Sequence, residues 1–417
     1  MTQAMTIEES KPADAVIAAV PRINIGIFCD HEATLQAMQQ VAADRRMSRA
    51  HVTVQTGGII GAFQAYSGAL CPNLLIVESH SPRDTLLIEL NQLAQVCDPT
   101  TKVIVIGHVN DVILYRELMR QGVSEYFVAP VNLLHMIQVI SNLYSDPKAK
   151  PIGRVIAFVG AKGGVGSSTI AHNLGWMISR TYNTETVITD LDLAFGTAGL
   201  NFNQEGGMGI ADALSSPERV DATLLDRLLT KCNDKLSLLA SGGLVDRDFH
   251  IDSTAVAAVL DVVRHNVPLV IVDVPNVWAA WTKYTLIHAD DVIITATPEL
   301  AALRNAKNLF DVLKASRPND SVPKVILNQV GVPKRPEIPA GEFAKALGVE
   351  PLAVIPYDSQ VFGTASSNGQ MIIEVAAKSR AAEVLNELSQ ILSGREVPKP
   401  PAKFSIFAGK FPTLRKK

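Results

Sequence analysis

One stretch of this 417-residue chain constrains its fold more than any other. Val155-Ile156-Ala157-Phe158-Val159 is a short apolar run that reads as a buried strand. Gly160-Ala161-Lys162-Gly163-Gly164-Val165-Gly166 follows at once, and Ser167-Ser168-Thr169-Ile170-Ala171-His172-Asn173-Leu174 opens a helix. A strand that passes through a glycine-rich turn into a helix lets backbone N–H groups converge on an anion. The helix N-terminus adds its partial positive charge at the same point. The Ser168 hydroxyl stands where a Mg²⁺ ligand is expected.

The rest of the chain has the alternation that such a segment needs. Ile23–Phe28, Leu74–Val77 and Val103–Ile106 are apolar runs, each followed by a helical stretch such as Glu32–Ala43. Residues 145–153, with two prolines and two lysines around Asp146, break the pattern and read as a linker. Alternation restarts with Val155–Val159, Thr186–Thr189, Leu269–Val272, Val292–Ala296 and Val325–Leu327, separated by helices such as Leu300–Ala315 and Ala377–Leu392. Strands alternating with helices imply mainly parallel sheets wrapped by helices, so the fold class is α/β in two domains. The divisions expected are a disordered leader over 1–21, a first domain over 22–144, the linker, a larger domain over 154–395 and a basic-aromatic tail over 396–417.

Composition narrows the function. A net charge of −3 and a pI near 6.3 give no support to a nucleic-acid partner. The four cysteines form no C-x-x-C pair, which argues against zinc, an iron–sulfur cluster or a disulfide framework and fits a reduced, cytoplasmic setting. No apolar run reaches the ~18 residues of a spanning helix. The acidic, polar start lacks the order of a secretory signal.

The loop departs from the general pattern G-x-x-x-x-G-K-[ST]: Ala161 stands at its first glycine and Ser167 where its lysine belongs. Lys162-Gly163-Gly164-Val165-Gly166-Ser167-Ser168-Thr169 instead resembles the deviant Walker A motif of the MinD/ParA family, in which an extra lysine precedes the paired glycines. That resemblance implies ATP with Mg²⁺ as cofactors. It implies a catalytic role for Lys162 towards the nucleotide of a partner subunit in an ATP-sandwiched homodimer. Later segments match the same family in order. Asp190-Leu191-Asp192 resembles its D-x-D switch, with Asp192 orienting the attacking water. Val272-Asp273-Val274-Pro275 resembles its Walker B ending, with Asp273 holding Mg²⁺ through water beside Ser168. Asn328 matches the residue that reads the adenine edge, and Pro356 and Asp358 a second base-side loop. Asp273 is expected to find its partner in metal-bound water or Ser168, because a buried unpaired carboxylate is expensive. A serine at 167 supplies no cation, so slow or absent hydrolysis is expected.

Residues 22–144 resemble a response-regulator receiver domain with a flavodoxin-like fold. Glu78 replaces the phospho-acceptor, Ala129 the lysine and Gly107 the usual Ser or Thr, while Asp30 remains near the acidic pair. A pseudo-receiver used for protein recognition follows. Together with the serine-bearing loop, this resembles the CpaE/TadZ proteins, which implies a localising ATP-binding protein of Tad/Flp pilus assembly. It would sit at the cell pole against the inner-membrane complex through pilus secretion and assembly partners. The tail mixes aromatics with cations and allows weak peripheral membrane contact, though its prolines interrupt any helix. Two rival functions stay open: an active partition or division-site ATPase, and a scaffold that ignores nucleotide.

Overall fold

The computed structural model describes residues 16–145, 152–204, 208–242 and 251–394. The expected linker, apart from Ser145, Ile152 and Gly153, and the expected tail lie outside the described residues. The chain builds two sheets. The first takes β1 (Asn24–Cys29), α1 (Glu32–Ala42), β2 (His51–Thr56), α2 (Gly58–Tyr66), β3 (Leu74–Glu78), α3 (Arg83–Val96), β4 (Lys102–Gly107), α4 (Val112–Arg120), β5 (Glu125–Val128) and α5 (Leu133–Leu143). Its strands run parallel in the order β2-β1-β3-β4-β5, the flavodoxin-like, receiver-like arrangement. All five residues of β3 are buried, as a strand covered by helices on both faces requires.

The second sheet holds β6 (Arg154–Gly160), β7 (Thr186–Asp190), β8 (Thr230–Asn233), β9 (Leu236–Leu239), β10 (Leu269–Val274), β11 (Asp291–Ala296), β12 (Lys324–Val330) and β13 (Ala353–Pro356). Its order is β13-β12-β11-β6-β10-β7-β9-β8, parallel except for the antiparallel edge β8. Helix α6 (Ser167–Thr181) follows β6 directly and buries Ile170, Leu174, Met177 and Ile178 against one face. β6 lies between β11 and β10, so the glycine-rich turn leaves the sheet at its centre. Ligands of open α/β sheets bind beyond the carboxyl ends of such strands.

Some sequence expectations need correction. Val20, placed in a disordered leader, is fully buried in the first core, and its N–H donates to the Arg46 carbonyl 2.8 Å away. β2 went unread because HVTVQT is a partly exposed edge strand, without the continuous apolar run of a central one. The helix expected from Ala377 starts at Arg380, capped by the Ser379 hydroxyl.

The two sheets are joined by buried charge. Arg45 Nε donates to Asp320 Oδ2 at 2.6 Å, Arg46 pairs with the same carboxylate, and Arg317 reaches it at 3.1 Å. Arg45 also donates to the His288 carbonyl at 2.8 Å, and Asn319 to Asp44 at 2.9 Å. Burial alone would push Asp320 up, but the surrounding guanidinium groups hold it below the ordinary carboxylate range.

Candidate functional site

The turn after β6 is shaped by glycines that have no substitute. Gly164 and Gly166 have φ of +76° and +84°, a region that penalises any Cβ. A Cβ at Gly166 would also stand 2.6 Å from Asn328 Nδ2. Four of the loop's carbonyls are engaged by side-chain amides from other elements. Asn276 donates to Gly160 O at 2.6 Å, Asn305 to Ala161 O at 2.9 Å, Gln329 to Gly164 O at 2.9 Å and Asn328 to Val165 O at 2.8 Å. With those oxygens tied back, the loop offers its N–H groups. The first turn of α6 adds N–H groups that no helix can satisfy internally. Converging N–H groups of this kind are what an anion site requires.

Around the loop lies an open cleft with two lobes that share Gly164, Gly166 and Thr169. One lobe reaches Lys162, Gly163, Ser167, Ser168, Leu191 and Asp192. The other, about 460 Å³, reaches Asn328, Pro356, Asp358 and Phe362. Each sequence-predicted site residue except Asp273 therefore lines this cleft. Val165 is among the residues of the first lobe although it is 1% exposed.

Several buried polar atoms point at a missing partner. Ser167 Oγ and Asn328 Oδ1 have none among the described residues. Asn328 spends its amide N–H on the loop, which leaves its carbonyl oxygen as a fixed acceptor at the cleft. Such an atom fits the exocyclic amine of a base. Asp358 is engaged elsewhere, because its carboxylate caps the helix Ser359–Asn368 through the Val361 N–H at 3.0 Å.

Two carboxylates stand together on neighbouring strands. Asp190 and Asp273 are register partners at the ends of β7 and β10, 0% and 4% exposed. Burial, and then the Asp273 charge, push Asp190 up to about 6. Asp273 does not meet Ser168. Its close side-chain neighbour is His172 of α6, whose Nε2 lies 3.4 Å from Oδ2. Asn201 donates to His172 Nδ1 at 2.8 Å, which leaves the Nε2 proton facing the acids in the neutral ring. The group His172, Asp190 and Asp273 could hold a divalent ion. Asp192 stands beyond it, its N–H on Asp190 and its carboxylate accepting from the Phe195 N–H.

Lys162 is not free. Its ammonium lies 2.5 Å from Glu299 Oε2, and Arg335 holds the other oxygen of Glu299 at 3.2 Å. Sequence reasoning missed Glu299, His172 and the bracing amides of Asn276, Asn305 and Gln329, and it gave Asp190 no role of its own. Asp190 alone carried a readable signal, as the first acid of the D-x-D pair.

A second constellation sits at the carboxyl edge of the first sheet. Glu78 is fully buried at the end of β3 and accepts from the N–H groups of Asp30 and His31 and from the Thr34 hydroxyl. Burial raises its pKa, but these bonds outweigh it and hold Glu78 below its ordinary value. Gly107 is needed because Tyr126 fills the space: a Cβ there would meet the tyrosine hydroxyl at 2.2 Å.

Comparisons with known proteins agree with this geometry. A family model described as an AAA domain matches residues 153–322. The septum site-determining protein MinD of Helicobacter pylori is 23% identical over 256 residues, 58% of this chain and 91% of that protein. MinD of Bacillus subtilis is 24% identical over 261 residues, 59% of this chain and 91% of its own. The solved ParA family ATPase of Chlorobium tepidum TLS matches with a TM-score of 0.52 at 26% identity, over 57% of this chain and 98% of its own. A solved chain of the pilus assembly protein CpaE of Caulobacter crescentus CB15 is 46% identical, covering 31% of this chain and 100% of its own, with a TM-score of 0.31.

Proposed function

The chain belongs to the MinD/ParA-type ATPases, and from that premise we propose that it is an ATP-binding, ATP-dimerising localisation protein of pilus assembly with slow or absent hydrolysis. The observation that carries the nucleotide reading is the loop with four carbonyls tied back by amides, beside an orphaned Asn328 oxygen. The phosphates lie on the N–H groups of Lys162 to Thr169, and the adenine faces Asn328 and Pro356. Asp358 takes a minor part there, since its carboxylate is committed to a helix cap. Ser168 and Asp273 are the residues that would hold Mg²⁺, which would supply charge neutralisation when bound. Asp192 positions a water. Ser167 offers a hydroxyl in place of a cation, which withholds transition-state stabilisation worth roughly 3 kcal/mol.

Dimerisation is supported by the rim of the cleft. Phe195, Val277 and Trp278 are 76%, 57% and 55% exposed. Phe195 and Val277 line the phosphate lobe itself. Exposed apolar side chains beside a polar site suit burial against a second subunit. Lys162 reaches the partner's nucleotide once it leaves Glu299.

The pilus reading rests on the pairing of an altered receiver with a serine-bearing loop, which resembles the CpaE/TadZ proteins. The first domain lacks an acceptor aspartate and lysine and acts by protein recognition. Val109, Val112 and Ile113, each about 60% exposed around the start of α4, offer a docking face for assembly proteins at the cell pole. No helix among the described residues is long and apolar enough to cross a membrane.

Calorimetry of ATP with Mg²⁺ on the full chain, beside Lys162→Ala and with sedimentation for mass, tests the reading. ATP-dependent dimers weakened by Lys162→Ala are expected. No binding at millimolar ATP would leave a scaffold that acts through protein contacts alone.

A further inference from the structure

We propose that the carboxyl edge of the first sheet is a Zn²⁺ site built from His31, Glu78, His80 and His108. Three imidazole nitrogens face one carboxylate oxygen. His108 Nε2 is 3.0 Å from Glu78 Oε1, His80 Nε2 is 3.6 Å from it, and His31 Nδ1 is 3.8 Å from it. One donor atom from each of the four residues lies within 4.8 Å of the others. Tetrahedral Zn²⁺ with bonds of roughly 2.0–2.2 Å holds its donors about 3.3 Å apart. His80 and His108 are stacked 3.5 Å apart, centroid to centroid, and coordination turns them apart, because two imidazoles on one tetrahedral ion hold their centroids about 5 Å from each other.

The residues come from three separate loops. His31 follows β1, Glu78 ends β3 with His80 two residues on, and His108 follows β4. Parallel strands bring these loops to one edge, where open sheets place their ligands. Glu78 is already oriented as a ligand needs to be. Its Oε2 takes two backbone N–H groups, and its Oε1 takes the Thr34 hydroxyl. Such fixed outer contacts are what tune metal-binding carboxylates.

The three rings are in mutual contact at this edge. His80 lies 3.5 Å from His108 and 3.8 Å from His31, centroid to centroid. Their side chains are 31–55% exposed, which gives an ion access from solvent over a buried anion. Three nitrogens and one oxygen select Zn²⁺ and its late first-row neighbours over Mg²⁺, which prefers oxygen. Bound metal would staple the three loops together where a receiver is phosphorylated.

The test uses the full chain, stripped with a chelator, in a His172→Ala background that removes the imidazole of the second group able to take an ion. Zn²⁺ is titrated against a chromophoric chelator, and Co²⁺ is followed by its visible absorption. One equivalent per chain is expected, with a tetrahedral Co²⁺ spectrum and a melting temperature that rises with Zn²⁺. His80→Ala and His108→Ala should each weaken Zn²⁺ by about 100-fold or more, since even changes to the groups that orient a ligand cost roughly 10–100-fold. His135→Ala, at an exposed imidazole outside the cluster, should leave affinity unchanged. Melting without metal reports whether the variants fold. His80→Gln and His108→Gln repeat the measurement with the bulk kept. An absent Co²⁺ band, or Zn²⁺ affinity unmoved in folded His80 and His108 variants, overturns the site.

Discussion

The ammonium of Lys162 lies 2.5 Å from the carboxylate of Glu299, so the loop's lysine is neutralised within its own subunit. The hydrogen bond from Lys162 holds Glu299 below its ordinary pKa. A lysine that must act across a dimer interface has to leave this pair first.

Glu299→Gln should therefore favour the dimer. The pair is partly exposed, and such pairs contribute about 0.2–1 kcal/mol. ATP-dependent self-association should tighten by up to about fivefold, read by sedimentation equilibrium. Unchanged or weaker association would show that Glu299 does not restrain Lys162.

Ser167→Lys restores a cation to a position whose hydroxyl is buried and unpartnered. A single preorganised contact is typically worth about 10²–10³ in rate. Phosphate release under saturating ATP should rise at least about 100-fold. A flat rate would move the block on turnover elsewhere, with Asp192 the next residue to vary.

Asn328→Ala should erase the preference for adenine. Its free Oδ1 would accept from an exocyclic amine and repel the carbonyl that guanine carries there. The discrimination lost is about 1–3 kcal/mol, which calorimetry would see as an ATP-to-GTP affinity ratio falling at least about fivefold. Equal loss for both nucleotides would mean that only the bond to Val165 matters.

Asp190 gives the fold a pH dependence. Its pKa of about 6 stands above the 3.8 of a free carboxyl. The stability it contributes is complete below about pH 3.8 and is lost as the pH rises through 6. Thermal melting should show Asp190→Asn gaining on the wild type at pH 8, by roughly 2–3 kcal/mol at most, and not at pH 4. A gain of equal size at both pH values would assign the effect to packing instead.

How much of this was legible follows the distance between partners. Gly164, Gly166 and the start of α6 are local, and the sequence shows them plainly. The Lys162 partner lies 137 residues away, and the amides that hold the loop come from three different stretches. No local pattern marks an Asn as a brace. His172 reads as one helix residue among many until β10 brings Asp273 beside it. The same limit hid the histidines around Glu78, which share an edge only through sheet order. β2 was missed for a different reason: a half-exposed edge strand carries a weak apolar signal.

The helix Leu300–Ser316 begins at Glu299 and ends at Arg317. One end thus touches the residue that holds Lys162, and the other adjoins the Asp320 carboxylate gripped by Arg45 and Arg46. Seventeen helical residues make a stiff strut of about 25 Å. The histidine-bearing half of the molecule is bolted to one tip of that strut and the phosphate loop to the other. A flexible tether would let the halves drift independently; a strut makes the bearing of one a reading of the other.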